Sequence, residues 1–469
     1  MDNENKILTL PAPDPEMLAA LADIVGQKSV SAKTLDRLAV SRDLGLLEGK
    51  VPEAPAAVIW PGSEEEIADV IKWCNLNKVP LTTDAGGAGV GGASIPLRRG
   101  IALDLKRLNK PLCLNEINHT VEAEAGIMGE TLERFLNRRG YSLGHFPSSF
   151  YCSTLGGWLA AGSAGQLSSQ YGKIEDMVIS LAGVLPDGTR FQSVDSPRSA
   201  AGPDLDQLII GSEGTLAVIT RAVLAVHPLP QWSEFRGYLF ETLPAGVEAM
   251  RLIMRQGLDP CVARLYDPRD ARLYEKDLLV PGPGCLLIIG FEGPDNALTR
   301  AKAGQGFSLC AQTGQDLGTA PAEAWRLSRY SVSYRHSAVP APGHTLLETC
   351  EVAIAWSKVV NLYEAMRAAI EPFAMVTAHI SHVYSTGAAL DFTFVSGSQE
   401  PPGAEVYDRV WSAAMEVCLR SGGTVSRPRG GGAGMKAERG PAGEIYRRLK
   451  KQLDPQGILS PGQMAMGHE

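Results

Sequence analysis

No two of the eight cysteines, at 74, 113, 152, 261, 285, 310, 350 and 418, stand in a CxxC pair. That spacing disfavours a structural zinc or an iron–sulfur cluster on this chain. Scattered single thiols in a chain of 469 residues read as reduced core residues, which points to a reducing compartment. No basic run of the nucleic-acid-binding kind occurs, and a net charge of −8, from 44 basic and 52 acidic residues, argues against DNA or RNA as a partner. No stretch reaches the roughly 18 apolar residues of a membrane span. The polar start MDNENK is not followed by the apolar segment of a signal peptide. A soluble, cytoplasmic protein is expected, with peripheral membrane contact left open. There is no internal repeat.

What is present is a globular balance, with 44% hydrophobic and 20% charged residues. The length suggests two or three domains. Fifty glycines and 31 prolines, spread along the chain, imply many loops. Residues 1–50 read as a polar helical appendage, with a helix start near Ser31 or Lys33. The text then alternates. AAVIWP (56–61) is a strand, and Ser63 caps a helix with Glu66 at the capping-box position. VPLTTD (79–84) and IALDL (101–105) are strands around a glycine loop, and Asp187-Gly188 marks a hairpin turn. The texture changes near 229–235, after which strands and helices alternate to about residue 420. A helix and an extended tail end the chain.

The loop TTDAGGAGVGG contains Gly87-Ala-Gly89-Val-Gly91-Gly92, a literal GxGxxG. A dinucleotide fingerprint must open a helix. Here the helix precedes the loop and a strand follows it, so that reading fails. Successive glycines still let backbone N–H groups converge on an anion such as a pyrophosphate; a flexible loop is the alternative. A second stretch, GHFPSSFYCSTLGGWLAAGSAGQLSSQYGKIEDM (144–177), is long, apolar and rich in small residues. Gly211-Ser-Glu-Gly-Thr-Leu-Ala-Val-Ile219 is of the same kind. Three such loops suggest an extended ligand with a phosphate end and an aromatic end, as in a dinucleotide.

Together these stretches resemble the FAD-binding domain of the vanillyl-alcohol oxidase / p-cresol methylhydroxylase superfamily. Within it, STLGGW, SAGQ…YGKIEDMV and GPDLDQLIIGSEGTLAVIT are similar to the alkylglycerone-phosphate synthase family. VARLYDP, SYRHSAVP, LETCEVAIAW, HVYSTGAALDFTF and DPQGILSPG continue the likeness. The resemblance implies an α+β fold: a two-subdomain FAD-binding domain over 51–230, an α/β cap (substrate) domain over 231–420, and a segment 421–469 that returns to the FAD-binding domain. FAD would be held by Asp84, Ala85, Gly86, Gly87, Ala88 and Gly89, by Ser148, Ser149, Ser153, Thr154, Gly156 and Gly157, by Ala161, Ser163 and Ala164, and by Glu213, Gly214, Thr215 and Ile219. No histidine or cysteine stands where the family attaches flavin covalently, so the FAD is expected to be dissociable.

The same resemblance assigns chemistry. Tyr384, in HVYSTGA, falls where the synthases have a proton-moving tyrosine; it would need a lowered pKa or a good partner. Arg335 and Arg264 match anion-binding arginines, whose planar fork suits carboxylate or phosphate. His379 and His382 are three apart, which on a regular strand puts them on opposite faces. The related hydroxy-acid dehydrogenases carry HxGDGNxH and EHG, and this chain has neither, so no metal is expected. Glu351 and Trp356 read as cap packing. The synthases carry a three-histidine run before GxG; here Arg427-Pro428-Arg429 stands there. Arginine is no general base near neutral pH, but it binds anions, and Arg427 or Arg429 would serve as a clamp.

The reading is therefore a FAD-dependent oxidoreductase acting on a small anionic hydroxy compound, a 2-hydroxy acid or polyol phosphate, with hydride passing to flavin N5. Two alternatives stand beside it: an alkylglycerone-phosphate synthase without net redox, and a flavin-bearing subunit of a larger complex. An electron-acceptor protein (a flavoprotein or iron–sulfur subunit) and a homodimer are admitted as partners.

Overall fold

The computed structural model describes residues 10–41, 54–89, 92–199, 201–274, 276–331, 346–396, 403–425 and 433–465. Three short parallel strands, Ala57–Ile59, Ile101–Asp104 and Leu81–Asp84, lie side by side in that order, with Val30–Ser31 antiparallel on the outer edge. The parallel strands are almost wholly buried, as their apolar runs require when both faces are covered. The helix Glu64–Asn77 is the crossover. Ser63 Oγ accepts from Glu66 N at 3.2 Å, while the Glu66 carboxylate reaches back one residue further than a capping box would, to Gly62 N at 2.6 Å. The helix Pro15–Val25 packs Met17, Leu21 and Val25 into this core, so the expected appendage contributes to it.

A second, antiparallel sheet runs in the order Pro111–Asn115, Thr120–Glu124, Val218–Ala225, Val178–Val184, Arg190–Gln192. Its last hairpin turns at Asp187-Gly188, with Gly188 at φ +82°, the left-handed geometry that glycine adopts without cost.

The third sheet has eight antiparallel strands: Gly314–Asp316, Trp232–Phe240, Cys285–Gly293, Val262–Tyr266, Met375–Val383, Gly387–Ser396, Leu346–Ala355 and Thr424–Val425. Side chains alternate across a strand. Ala263, Leu265, Leu287, Ile289, Phe291, Leu390, Phe392 and Phe394 enter the largest core, with Met250, Leu362 and Met366 from the helices Leu243–Arg255 and Val359–Ile370. The alternate positions carry Arg264, Tyr266, Thr377, His379, Asp391 and Thr393. This second face meets the FAD-loop region: Val262, Leu286 and Ile288 pack with Leu167 and Trp325.

The C-terminal helix Ala433–Leu453 leads back to the first sheet. Leu81 N donates to Ile458 O and Ser460 N to Leu81 O, both at 2.7 Å. All eight cysteines are free; six are buried, whereas Cys113 and Cys152 are exposed rather than core residues. No helix among the described residues is long and apolar enough to cross a membrane.

Candidate functional site

The strand Leu81–Asp84 ends in a buried carboxylate. Asp84 Oδ1 accepts from Gly86 N at 2.8 Å, and Lys106 Nζ lies 3.6 Å from Asp84 and 3.0 Å from Asp104. Burial pushes the Asp84 pKa up, with Lys106 opposing. Gly86 (φ +123°) and Gly87 (φ +60°) then turn the chain. A Cβ on Gly86 would sit 3.0 Å from Cys152 O, and Thr154 Oγ1 donates to Ala85 O. The glycine loop and the STLGG segment are thus in direct contact. Gly89 has open space around it.

Thr154 caps the helix Leu155–Ala161, accepting from Gly157 N at 3.3 Å. Two neighbouring small residues serve the fold instead. Ser153 Oγ donates to Ser149 O (2.8 Å) and accepts from Trp158 Nε1 (2.7 Å) and Ser149 Oγ (3.1 Å), so its hydroxyl is saturated within the protein. A Cβ on Gly156 would lie 2.8 Å from Ala125 Cβ, so that glycine answers to packing. Ser148 and Ala161 are exposed and Ala164 is half-buried. Ser163 Oγ meets His145 Nε2 at 3.0 Å. Gly214 brings the third loop in: its Cβ position lies 3.4 Å from Ser460 Oγ and 3.7 Å from Thr83 Oγ1. Glu213 N donates to Ala160 O at 2.8 Å and Thr215 Oγ1 to Ser212 O at 2.7 Å. The Ile219 side chain, by contrast, is buried in the core of the antiparallel sheet.

The region also holds residues that the sequence did not single out. Gln463 is 1% exposed. Its Nε2 donates to Gly92 O (2.8 Å) and Ile95 O (2.9 Å), which uses both N–H groups and fixes the amide's orientation. Its Oε1 is buried without a protein partner, as are Thr83 Oγ1 and Ser94 Oγ. Buried polar atoms need partners. These acceptors and hydroxyls, beside a loop of open backbone N–H groups, fit a ligand with phosphate oxygens and hydroxyl or amine donors, which FAD is. The only signal in the sequence is a polar residue in an otherwise apolar, glycine-containing tail.

On the cap side, the strand Met375–Val383 carries a bulge. His379 pairs with Asp391, Ile380 with Leu390 and His382 with Ala389, leaving Ser381 as the extra residue. The bulge breaks the two-residue alternation and puts His379 and His382 on the same face, which corrects the expectation of opposite faces. His379 Nδ1 is 3.0 Å from Asp270 Oδ2 and its Nε2 is 3.2 Å from Asp391 Oδ2; the same Nε2 contacts Arg264 Nη2. Burial and Arg264 depress the His379 pKa, but the hydrogen bonds with Asp270 and Asp391 outweigh them and raise it. His382 Nε2 donates to Gly165 O at 2.9 Å. Arg264 Nε is buried and unpartnered. Burial opposes the Arg264 charge, yet Tyr266, Asp391 and Asp270 raise its pKa.

Tyr384 follows, its N–H donating to Gly387 O at 2.8 Å and its carbonyl accepting from Trp356 Nε1 at 3.1 Å. Burial, then the charges of Glu351, Glu175 and Asp176, push its phenol well above the usual range, the reverse of the lowered pKa expected. Glu351 is not confined to cap packing: it pairs in register with Asp391 on the polar face. Arg335, Arg427 and Arg429 lie outside the described residues.

Residues 55–193 match the family model described as FAD binding domain, and residues 229–464 match FAD linked oxidases, C-terminal domain. Alkyldihydroxyacetonephosphate synthase of Dictyostelium discoideum is 32% identical over 88% of this chain and 74% of its own. An uncharacterised FAD-linked oxidoreductase, YgcU, of Escherichia coli K12 is 30% identical over 87% and 88%. The mitochondrial D-lactate dehydrogenase [cytochrome] of Arabidopsis thaliana is 28% identical over 89% and 75%. Among solved structures, an alkyldihydroxyacetonephosphate synthase superposes with a TM-score of 0.84 at 29% identity, covering 98% of this chain and 88% of that one. p-Cresol methylhydroxylase superposes with 0.80 at 15% identity, covering 96% of each, and so shares the fold.

Proposed function

The chain belongs to the FAD-linked oxidase family and takes FAD as its cofactor, and from that premise we propose that it oxidises a small anionic hydroxy compound of the 2-hydroxy-acid or polyol-phosphate type. The observation that carries this reading is Arg427-Pro428-Arg429, standing where the synthase family has three histidines. Three imidazoles that could move protons are replaced by two fixed cations that can only bind.

When bound, FAD supplies the two-electron chemistry. Its phosphate end belongs to Asp84–Gly89, Thr154, Gly157 and Glu213–Thr215, with Thr83, Ser94 and Gln463 completing the pocket; Ser163 lines the other end. The cofactor is dissociable. Arg264, Arg335, Arg427 and Arg429 clamp the substrate anion, since a guanidinium fork matches carboxylate or phosphate oxygens. Tyr384 bonds the substrate hydroxyl. Its phenol starts neutral, so it passes a proton on only by giving up its own, and Glu351, Glu175 and Asp176 are the carboxylates whose field it feels. We divide the chain into a FAD-binding domain over 51–230, a cap over 231–420 and a returning segment over 421–469. Electrons leave to oxygen, a quinone or an acceptor protein.

Ether-lipid synthesis is the second reading, favoured by the 32% identity to the Dictyostelium synthase. Anaerobic absorbance titration separates the two. Stoichiometric bleaching of the flavin band by a 2-hydroxy acid or polyol phosphate is expected. No bleaching by any of them, with ether product formed from acyl-dihydroxyacetone phosphate and a fatty alcohol, sinks the oxidoreductase and restores the synthase.

A further inference from the structure

The C-terminal helix is remote in sequence from the glycine loop, yet one of its ammonium groups joins two of the cofactor loops. Lys450 is 4% exposed. Its Nζ donates to Thr215 O (2.7 Å), Leu459 O (2.9 Å) and Asp454 Oδ2 (2.5 Å), which uses all three of its protons. Asp454 is fully buried and accepts from Ile458 N (3.0 Å) and Leu459 N (2.9 Å). Ile458 and Ser460 bracket Leu81, the first residue of the strand that ends in Asp84 and the glycine loop.

Tyr446, one turn before Lys450, reaches the same loop. Thr215 Oγ1 spends its single proton on Ser212 O, so Tyr446 is the donor in the 2.7 Å contact between its hydroxyl and Thr215 Oγ1. The loop needs such holding. Glu213 (φ +51°) and Gly214 (φ +73°) are consecutive left-handed residues, and a glutamate keeps that conformation only where its surroundings fix it.

We infer that Lys450 and Tyr446 are positioning residues for the flavin: from the C-terminal helix they fix the Glu213–Thr215 loop against the glycine loop, so that cofactor retention depends on the C-terminal segment. The inference rests on the reading that both loops border the flavin.

Y446F removes one donor and leaves no buried charge behind. The dissociation constant for FAD, from fluorescence titration of the apoprotein, is expected to rise about fivefold, the worth of one buried hydrogen bond. The Glu213–Thr215 amides are expected to exchange faster with solvent, while the apoprotein's melting midpoint stays unchanged. K450M is expected to lose FAD more completely, but it also strips Asp454 of its cation, so Y446F decides. Parent affinity in Y446F overturns the inference, and so does an apoprotein destabilised as much as the holoprotein. Weakened binding in G86A beside parent affinity in Y446F removes the clasp and leaves the flavin site standing; parent affinity in both overturns both.

Discussion

His382 and Gly165 join the two halves of the molecule: the imidazole Nε2 donates to the Gly165 carbonyl at 2.9 Å. A carbonyl only accepts, so the proton is on Nε2, and Nδ1 accepts from Ser381 Oγ at 3.0 Å. The bond crosses from a cap strand to the small-residue loop beside Ser163, where His145 is also buried. Ser169 Oγ and Tyr171 extend the seam, to Val383 N at 3.2 Å and Glu292 Oε1 at 2.7 Å.

These two imidazoles should make stability pH-dependent. Burial holds His382 down to about 4 and His145 to about 3, against an ordinary value of 6.5. Both are neutral in the folded protein, while the unfolded chain binds protons below 6.5. Their contribution is present above 6.5 and is lost as pH falls toward 4, at about 1.4 kcal/mol per pH unit for each ring. Urea unfolding between pH 4.5 and 6 should give a steeper slope for the parent than for His382→Gln, by about one proton. Equal slopes would mean that His382 is protonated when folded.

The glycine loop makes a sharper claim. Gly86 has φ +123°, and an added Cβ would meet Cys152 O at 3.0 Å, an atom of the rigid STLGG segment. Gly86→Ala therefore has to move the loop, at a cost of about 1–3 kcal/mol. It should purify folded but depleted of flavin, as the ratio of flavin to protein absorbance will show. Full flavin content would place the cofactor elsewhere.

Much of this was legible in the sequence because the signals are local. Ser63 with Glu66, Asp187-Gly188 and the apolar runs at 57–59, 81–84 and 285–293 each name an element by chemistry within a few residues. The bulge at Ser381 has no such signal; it is set by how Ile380 and His382 pair with the next strand. Ser460 and Gln463 join the site only because Leu81 recruits the tail as a neighbour. Smallness also has two causes that a sequence does not separate. Gly86 is small beside the cofactor loop, whereas Gly156 is small to let a helix sit on Ala125.

Tyr384→Phe tests the cap side. The hydroxyl lies among carboxylate charges that keep it protonated, so its removal should barely change flavin content or folding. Turnover should fall about 10²-fold or more if the phenol handles the substrate proton. Because burial and the neighbouring carboxylates raise its pKa, no loss of activity attributable to Tyr384 ionisation should occur below about pH 10. Parent-like turnover in the phenylalanine variant would reduce Tyr384 to a wall of the pocket.

Gly156 and Gly157 are neighbours that should fail differently. At Gly156 a methyl group would lie 2.8 Å from Ala125 Cβ and 3.0 Å from Ala125 O, inside a packed helix–strand contact. Overpacking of this kind costs about 1–3 kcal/mol, so Gly156→Ala should lower the melting midpoint of apo- and holoprotein alike. At Gly157 the nearest atoms are Thr154 Oγ1 at 3.4 Å and Ala85 O at 3.5 Å, which is ordinary contact. The methyl group fits sterically, and alanine suits a helix interior better than glycine by about 1 kcal/mol. Gly157→Ala should therefore fold at least as well as the parent. Any defect should be confined to FAD affinity, because the added group stands beside Ala85 at the mouth of the glycine loop. Melting curves with and without FAD separate the cases. A Gly157→Ala apoprotein less stable than the parent, or a Gly156→Ala protein destabilised only when FAD is present, would exchange the roles assigned to the two glycines.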